Sequence, residues 1–285
     1  MIDLHTHSTF SDGTLSPEEL ISLSVKCRLD AVALCDHNTV AGLPRFLAAA
    51  EGENLLPIPG IEFSTDYRGT ELHILGLFID PEHYPAVTEK VNTMLLQKEE
   101  SNRNLIRALN NAGISLDYDQ IAAGTPSGQV NRAVIAAEMV RRGYCRTVND
   151  CFSRWLSPKL GYYVPPARLD VFEIISFINS IGAVSVLAHP FLNLDEEGLR
   201  QFLKQAVPCG LDAMEVFYTE FSPEQRDCAC AIAGEFGLAL SGGSDFHGDN
   251  KPDTRLGTGK GDLLVANEVL DALISCRENK KSINR

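Results

Sequence analysis

The sequence predicts an α/β fold in which a parallel β-sheet is interrupted by an all-helical segment. Short apolar runs alternate with helix-like segments in both outer parts of the chain, as in a parallel sheet that is either open or closed. Residues 81–163 instead show helical periodicity and no clear strand. Six of the seven histidines lie within a predicted strand or at its carboxyl end. These observations predict one α/β domain with a helical insertion and a histidine-rich site.

The length of 285 residues suits one large barrel-type domain or one domain with an insertion. Hydrophobic residues make up 44% of the chain, which is ample for a core. We expect residues 1–80 and 164–285 to form the two parts of the barrel. Residues 81–163 should form the insertion and act as a substrate-binding lid, because both of its ends leave strands that carry site histidines.

Residues 1–80 are predicted to form four strands and two helices. Ser16 is followed by Pro17 and by Glu19, the pattern of a capping box with proline at the first helical position, so a helix should run from Pro17 to about Cys27. The mostly apolar run Leu29–Cys35 indicates a buried parallel strand. The other elements expected here are a strand at Met1–Leu4, a helix at Ala41–Ala50 and strands at Leu55–Thr65 and Glu71–Ile79.

Glycines mark the ends of the helices that we expect in the insertion. A long helix at Tyr84–Asn111 should stop at Gly113, and a second at Asn131–Arg142 should stop at Gly143. A short third helix is expected at 149–156, and the alternation resumes after Pro165-Pro166. The later elements are helices at 171–181, 199–206, 223–236 and 265–276, and strands at 183–188, 211–217 and 238–241.

Charge and composition exclude several classes of protein. The formal net charge of −13 disfavours tight binding to long nucleic acid, although a small phosphate ester held by metal ions remains compatible with it. No apolar run approaches a membrane span and no early apolar leader is present, so we expect a soluble cytoplasmic protein without a membrane partner. The eight cysteines contain no Cys-x-x-Cys pair and are expected to be reduced packing residues. A monomer is expected.

The segment Asp3–Gly13 contains the first candidate ligands. Residues two apart on a strand point to the same face, so His5 and His7 can reach one ion together. Asp12 follows in a Ser-Asp-Gly turn that bends the chain back. Imidazole and carboxylate suit Zn, Mn or Fe. From this segment alone, a buried histidine pair satisfied by the backbone, with a turn aspartate, is an equal alternative.

The positions of the other histidines favour the metal site. Only His83, in the turn after Pro81, lies away from a predicted strand. In α/β barrels the chemistry sits at the carboxyl ends of the strands, so histidines at these ends converge if the sheet closes. Carboxylates accompany them at Asp12, Asp36, Glu62 and Asp245. The histidines in this pattern are His5, His7, His37, His73, His189 and His247.

These motifs, in this order, resemble the polymerase and histidinol phosphatase (PHP) superfamily of metal-dependent phosphoesterases, and in particular its TrpH/YciV-like branch with a helical insertion. The resemblance implies a distorted seven-stranded (β/α) barrel and two or three divalent ions, which would be Mn, Zn, Fe or Mg. It also implies hydrolysis of phosphomonoesters or nucleotide 5′ ends. The motifs that carry it are Asp3–Ser8 with Ser11–Gly13, Cys35–Thr39, Gly60–Glu62, Glu71–Gly76, Ala188–Pro190 and Gly243–Gly248.

The resemblance also implies a complete set of nine ligands. His5 and His7 resemble the ligands of a first ion, together with Asp245 and a bridging Glu62. The second ion would be held by Asp12, His37 and His247, and the third by Glu62, His73 and His189. We expect Glu62, Asp245 and His189 to act in catalysis. Asn38 is expected to have no ligand role, and Asp36 to be either structural or a partner of the ligands.

The expected reaction is attack by a hydroxide held between two metal ions about 3.5–4 Å apart, which needs no protein nucleophile. The sequence has no Walker A motif, no Gly-x-Ser-x-Gly elbow and no helical zinc-protease spacing. We expect phosphomonoesters of nucleotides, such as AMP or a nucleoside 3′,5′-bisphosphate, or the 5′ ends of short RNA. Histidinol phosphate, a DNA 3′ end and a non-catalytic, metal-stabilised regulator remain alternatives.

Four residues are candidates for binding the substrate. Asn131 and Arg132 follow Gly128 and Gln129 in a loop that runs into a helix N-terminus, where an anion is well placed. Tyr163, or its neighbour Tyr162, suits either stacking on a base or core packing. Lys251, in the loop after His247, could meet a second phosphate or be an ordinary surface lysine.

Overall fold

A computed structural model describes residues 1–125, 130–166 and 168–283 of the chain. The strands in these ranges are β1 (Ile2–Thr6), β2 (Ala31–Leu34), β3 (Leu56–Tyr67), β4 (Thr70–Leu77), β5 (Leu169–Asp170), β6 (Val184–Leu187), β7 (Ala213–Tyr218) and β8 (Ala239–Gly243). The α-helices are α1 (Pro17–Lys26), α2 (Leu43–Ala49), α3 (Tyr84–Asn111), α4 (Tyr118–Ala123), α5 (Arg132–Arg141), α6 (Val148–Cys151), α7 (Val171–Ser180), α8 (Glu196–Ala206), α9 (Pro223–Glu235) and α10 (Asn267–Ile283).

Seven of the strands form a nearly closed barrel in the order β1-β2-β3-β4-β6-β7-β8, and the short β5 pairs with the end of β3. Backbone hydrogen bonds join the two outer strands at the rim. The amide of Asp245 donates to the carbonyl of His5 at 2.9 Å, and the amide of His7 donates to the carbonyl of Phe246 at 2.9 Å. The predicted α/β barrel is confirmed, and its closure brings the first and last site motifs together.

The expectation of a parallel sheet is wrong for β4. This strand pairs in antiparallel fashion with both β3 and β6. The reason is local, because only Arg68 and Gly69 separate β3 from β4, and both have positive φ, at 54° and 86°. A two-residue turn of this kind forms a hairpin and leaves no room for a crossover helix. His73 lies opposite Ser64 and diagonally across from Glu62 on the same face of the sheet.

The ends of the predicted helices follow the local signals in the sequence. The capping box of α1 is confirmed, since the amide of Glu19 donates to the Ser16 hydroxyl and the Ser16 amide donates to the Glu19 carboxylate. Gly113 and Gly143 have φ of 89° and 81° where α3 and α5 have ended. The helix α4 and the two-residue β5 were not predicted.

The chain divides into two compact units, residues 1–88 with 169–285 and residues 89–168. These limits fall a few residues later than the expected insertion of 81–163. The first unit has a core cluster in which strand residues such as Leu4 and Leu75 pack with Leu273 of α10. The second unit has its own cluster, which includes Leu105 of α3 and Met139 of α5.

Gly243, at the end of β8, provides a test of the barrel closure. A Cβ atom there would lie 2.5 Å from both the Cβ and the backbone N of His5. We expect Gly243→Ala to lower the free energy of unfolding by about 1–3 kcal/mol, measured by urea denaturation, because β1 must move. The matched control is Gly234→Ala in α9, where nothing lies within 4 Å of the new atom. It should be neutral or stabilising by up to about 1 kcal/mol, and equal losses in the two variants would contradict the close contact.

Candidate metal centre

The nine residues expected to bind metal converge at one rim of the barrel. Most of them lie near the end of a strand, whereas Asp12 lies in the loop before α1. Their positions are His5 in β1, His7 just after it, His37 after β2, Glu62 in β3, His73 in β4, His189 after β6, and Asp245 and His247 after β8.

Glu62 lies at the centre of this arrangement and is 1% exposed. Its Oε2 atom faces three ring nitrogens at 3.1–3.2 Å and its Oε1 atom faces two more at 2.7 and 3.1 Å. One buried carboxylate therefore contacts histidines from four strands or the loops that follow them. The three on the Oε2 side are His5, His7 and His37, and the two on the Oε1 side are His73 and His189.

Two further carboxylates flank this centre. Asp245 Oδ1 lies 3.3 Å from His7 Nε2 and 3.7 Å from His5 Nε2. Asp12 Oδ1 lies 3.2 Å from His247 Nε2. The described residues contain four overlapping groups of donors within reach of a common ion, namely His7-Asp12-His37-His247, His5-His7-Asp245, His5-Glu62-His189 and His37-Glu62-His73.

Several of these polar atoms are buried without a hydrogen bond. They are His5 Nε2, both ring nitrogens of His7, His37 Nδ1 and Glu62 Oε2. Burying a polar atom without a partner costs about 1–3 kcal/mol, and buried polar groups in proteins are normally satisfied. Divalent ions would satisfy these donors together, and imidazole with carboxylate suits Zn, Mn or Fe. The side chains present therefore fit a metal cluster.

The electrostatics of the site favour bound positive charge. Burial opposes protonation of His7, but Asp245 and Glu62 outweigh it and raise its pKa to about 9. Burial is likewise outweighed at His73, where the charge of Glu62 raises the pKa to about 10. At His37 burial dominates and lowers the pKa to about 3. The pKa of Glu62 stays well below its usual range despite burial, because of the surrounding histidines. The same negative charge also favours the binding of divalent cations.

Comparison with known proteins identifies the family of this chain. The family model of the PHP domain matches residues 3–155. A protein named 5'-3' exoribonuclease Rnm from Salmonella typhimurium is 34% identical over 248 residues, which cover 86% of this chain and 84% of that protein. The chain belongs to the PHP domain family.

One further relative and one crystal structure are similar to this chain over most of its length. A protein named 3',5'-nucleoside bisphosphate phosphatase from Chromobacterium violaceum is 28% identical over 248 residues, 86% of this chain and 87% of that protein. A crystal structure from Bifidobacterium adolescentis, assigned as a metal-dependent phosphoesterase, matches with a TM-score of 0.81 at 27% identity over 96% of both chains. The family predicted from the motifs is confirmed, and this PHP chain is a metal-dependent phosphoesterase.

Among the helices of the part of the chain that the structure describes, none combines the length and the apolar character that a membrane span requires.

The first PHP motif is held in place by Asp36. This carboxylate accepts hydrogen bonds from the Ser8 amide at 2.8 Å and from the hydroxyls of Ser8 and Ser11 at 2.6 Å each. The bonds fix the turn between His7 and Asp12. These bonds give Asp36 a structural role, because they hold the loop that carries His7 and Asp12 and reach no proposed ligand directly.

Three residues of the PHP centre were not predicted from the sequence. Tyr218 donates a hydrogen bond to Asp245 Oδ2 at 2.9 Å. Asp3 is fully buried and accepts from the amides of Ser244 and Gly257 at 2.9 and 2.8 Å. Glu215 is fully buried on β7. For Glu215 the available signal was a single acidic residue inside the otherwise apolar strand β7.

Lys251 also contacts the centre. Its Nζ atom lies 2.6 Å from Asp245 Oδ2, the oxygen that Tyr218 also contacts. Because Lys251 and Tyr218 hold Oδ2, the Oδ1 atom is the one directed at the histidines. The cluster opens into a cavity of about 370 Å³ that Leu192 and Asn193 also line.

The other substrate-binding candidates lie in the unit 89–168. The Asn131 side chain caps α5 by accepting from the Val134 amide at 2.9 Å. The Arg132 guanidinium stacks over the Tyr163 ring at 4.4 Å, and Tyr163 belongs to the core cluster of that unit. Gly128 and Gln129 lie outside the described residues. Contact of these side chains with substrate stays a prediction.

Glu62→Gln tests the central position of Glu62. The substitution removes a negative charge that faces five histidines, so we expect loss of metal, measured by elemental analysis, and a fall in kcat/KM of more than about 100-fold, or about 2.7 kcal/mol. The loss should exceed that of His247→Ala, which removes a ligand from one side only. The control is His83→Ala, since His83 lies in the turn Pro81–His83 and in none of the four donor groups. Full activity and metal content in Glu62→Gln would contradict the assignment.

Proposed function

We propose that this PHP phosphoesterase hydrolyses phosphomonoesters of nucleotides, including nucleoside 3′,5′-bisphosphates, or the 5′ ends of short RNA. The observation that supports it most is the convergence of eight competent ligand side chains around a ninth, Glu62. The named activities of the Salmonella typhimurium and Chromobacterium violaceum relatives give the substrate class, since both concern phosphate esters of nucleotides or RNA.

The proposed ligand sets are those that the resemblance to the PHP family implies, and the first two fall within groups of donors that lie close together in the structure. His5, His7 and Asp245 would hold one ion, and Asp12, His37 and His247 a second. Glu62 would bridge, and its Oε1 side, with His73 and His189, would hold a third. When bound, the divalent ions supply Lewis-acid activation of water and of the phosphate oxygens. Their number, two or three, and their identity as Mn, Zn, Fe or Mg belong to this proposal.

The roles of the chain's own residues follow from charge. The centre is lined by the carboxylates Asp12, Glu62 and Asp245 in a chain of net charge −13. Bound divalent ions would offset this negative charge and so support binding of a phosphate dianion as well as the reaction. Lys251, the cation beside Asp245, is the proposed side chain for a phosphate oxygen. The cavity next to Leu192 and Asn193 has room for the rest of a nucleotide.

A substrate panel tests the proposal. The metal-loaded protein should hydrolyse AMP, a nucleoside 3′,5′-bisphosphate or a short 5′-phosphorylated RNA at least about tenfold more efficiently than histidinol phosphate, and removal of metal with a strong chelator should abolish the activity. Phosphate release measures hydrolysis of AMP, the bisphosphate and histidinol phosphate, and gel analysis measures hydrolysis of the RNA. A preference for histidinol phosphate would contradict the proposed substrate class.

Arg132→Ala tests the predicted contribution of the unit 89–168 to selectivity. A charge-assisted contact to a second phosphate is worth about 1.5–3 kcal/mol, so kcat/KM on the bisphosphate or RNA should fall by about one to two decades. Hydrolysis of p-nitrophenyl phosphate, which has one phosphate, should change little. The matched control is Arg141→Ala, which removes an exposed arginine paired with Glu138 on the same helix. An equal loss on all substrates would contradict a contact with a second phosphate.

A further inference from the structure

Glu215 is a buried carboxylate next to the cluster for which the proposed function gives no role. It lies on β7 and is 0% exposed. Both of its oxygens are engaged by other parts of the protein. Oε1 lies 3.0 Å from His5 Nδ1, and Oε2 accepts a hydrogen bond from the backbone amide of His189 at 2.8 Å. Glu215 belongs to none of the four donor groups among the described residues, so it is not placed as a ligand.

The contact with His5 determines which ring nitrogen faces the cluster. With Nδ1 directed at Glu215, Nε2 is directed at Glu62 Oε2, 3.2 Å away, and at Asp245 Oδ1, 3.7 Å away. A carboxylate that accepts from one imidazole nitrogen holds the proton there and leaves the lone pair of the other nitrogen for a metal ion. The same contact fixes the orientation of the ring.

The contact with His189 acts through the backbone. His189 has φ 29° and ψ 56°, a left-handed conformation that is costly for a residue with a side chain. The hydrogen bond from its amide to Glu215 holds this conformation, in which His189 Nε2 lies 3.1 Å from Glu62 Oε1. The register of the pairing between β7 and β8 shifts between Glu215 and Phe217, so the regular ladder is interrupted next to the site.

We propose that Glu215 is a positioning residue that orients two ligands at once, His5 through its ring and His189 through its backbone. The inference rests on the proposed assignment of both histidines as metal ligands. It explains why β7, which supplies no proposed ligand, carries a fully buried acid at the level of the cluster.

The test is Glu215→Gln, an isosteric change. A glutamine has one acceptor oxygen for the two donors, so one contact must be lost. If its amide group turns toward His5 it donates to Nδ1, which places the imidazole proton on Nε2 and blocks that atom for metal. We expect metal affinity to fall about 10–100-fold, measured by competition with a chromophoric chelator using Zn²⁺ and Mn²⁺.

The matched control is Asp212→Asn. Asp212 immediately precedes β7 and binds the Ser185 amide and hydroxyl and Lys280, with no contact to a proposed ligand. Each variant loses one carboxylate, either in β7 or immediately before it. Thermal unfolding of both variants shows whether a change in metal affinity is caused by a general loss of stability. Weaker metal binding in Glu215→Gln alone supports the inference, whereas wild-type affinity in that variant, or an equal loss in both, overturns it.

A second measurement needs no variant. In the Zn²⁺-loaded wild-type protein, ¹⁵N spectra of labelled histidine should show His5 protonated at Nδ1 and coordinated through Nε2. Protonation of His5 at Nε2 overturns the inference even if Glu215→Gln fails to fold. If the wild-type protein binds no metal at all, the proposed metal centre itself fails. That outcome is distinct from a metal centre that is indifferent to Glu215.

Discussion

The structure of the site depends on the burial of one carboxylate, that of Glu62. A charged group removed from water is costly unless it is paired, and Glu62 is paired with ring nitrogens from five histidines. Several of those nitrogens have no hydrogen bond of their own. The negative charge of Glu62 is therefore neutralised only when positive charge lies between its oxygens and these ring nitrogens. Protons at His7 and His73 or divalent ions can supply it, and only the ions satisfy all the donors together.

Closure of the barrel makes this concentration of proposed ligands possible. The pairing of β1 with the segment after β8 joins residues about 240 positions apart, so that His5 and His7 meet Asp245 and His247. The loops that carry the proposed ligands include residues with positive φ at His189 and Asp245, which cost about 1–3 kcal/mol each. Buried carboxylates that are not proposed ligands, Asp3, Asp36 and Glu215, accept backbone amides from the ligand-bearing segments and hold their conformations.

Local signals in the sequence predicted the elements well, and non-local contacts were harder to predict. Signals that depend on near neighbours in the chain were read correctly. They are the capping box at Ser16, the helix stops at Gly113 and Gly143, and the histidines near strand ends. The antiparallel direction of β4 could not be derived from periodicity, which is the same for either direction, although the short Arg68-Gly69 turn was a usable signal. Glu215 was missed because its partners, His5 and His189, are 210 and 26 residues away. An acid inside an apolar strand indicates such a partner but does not identify it.

Anomalous X-ray diffraction from crystals grown with Zn²⁺ or Mn²⁺ tests the central claim most directly. The account predicts two or three anomalous peaks at the rim of the barrel, with at least two of them about 2.0–2.2 Å from oxygens of Glu62, as is usual for carboxylate ligands of zinc. A folded barrel with the same side-chain arrangement and no peak near Glu62 would contradict the account.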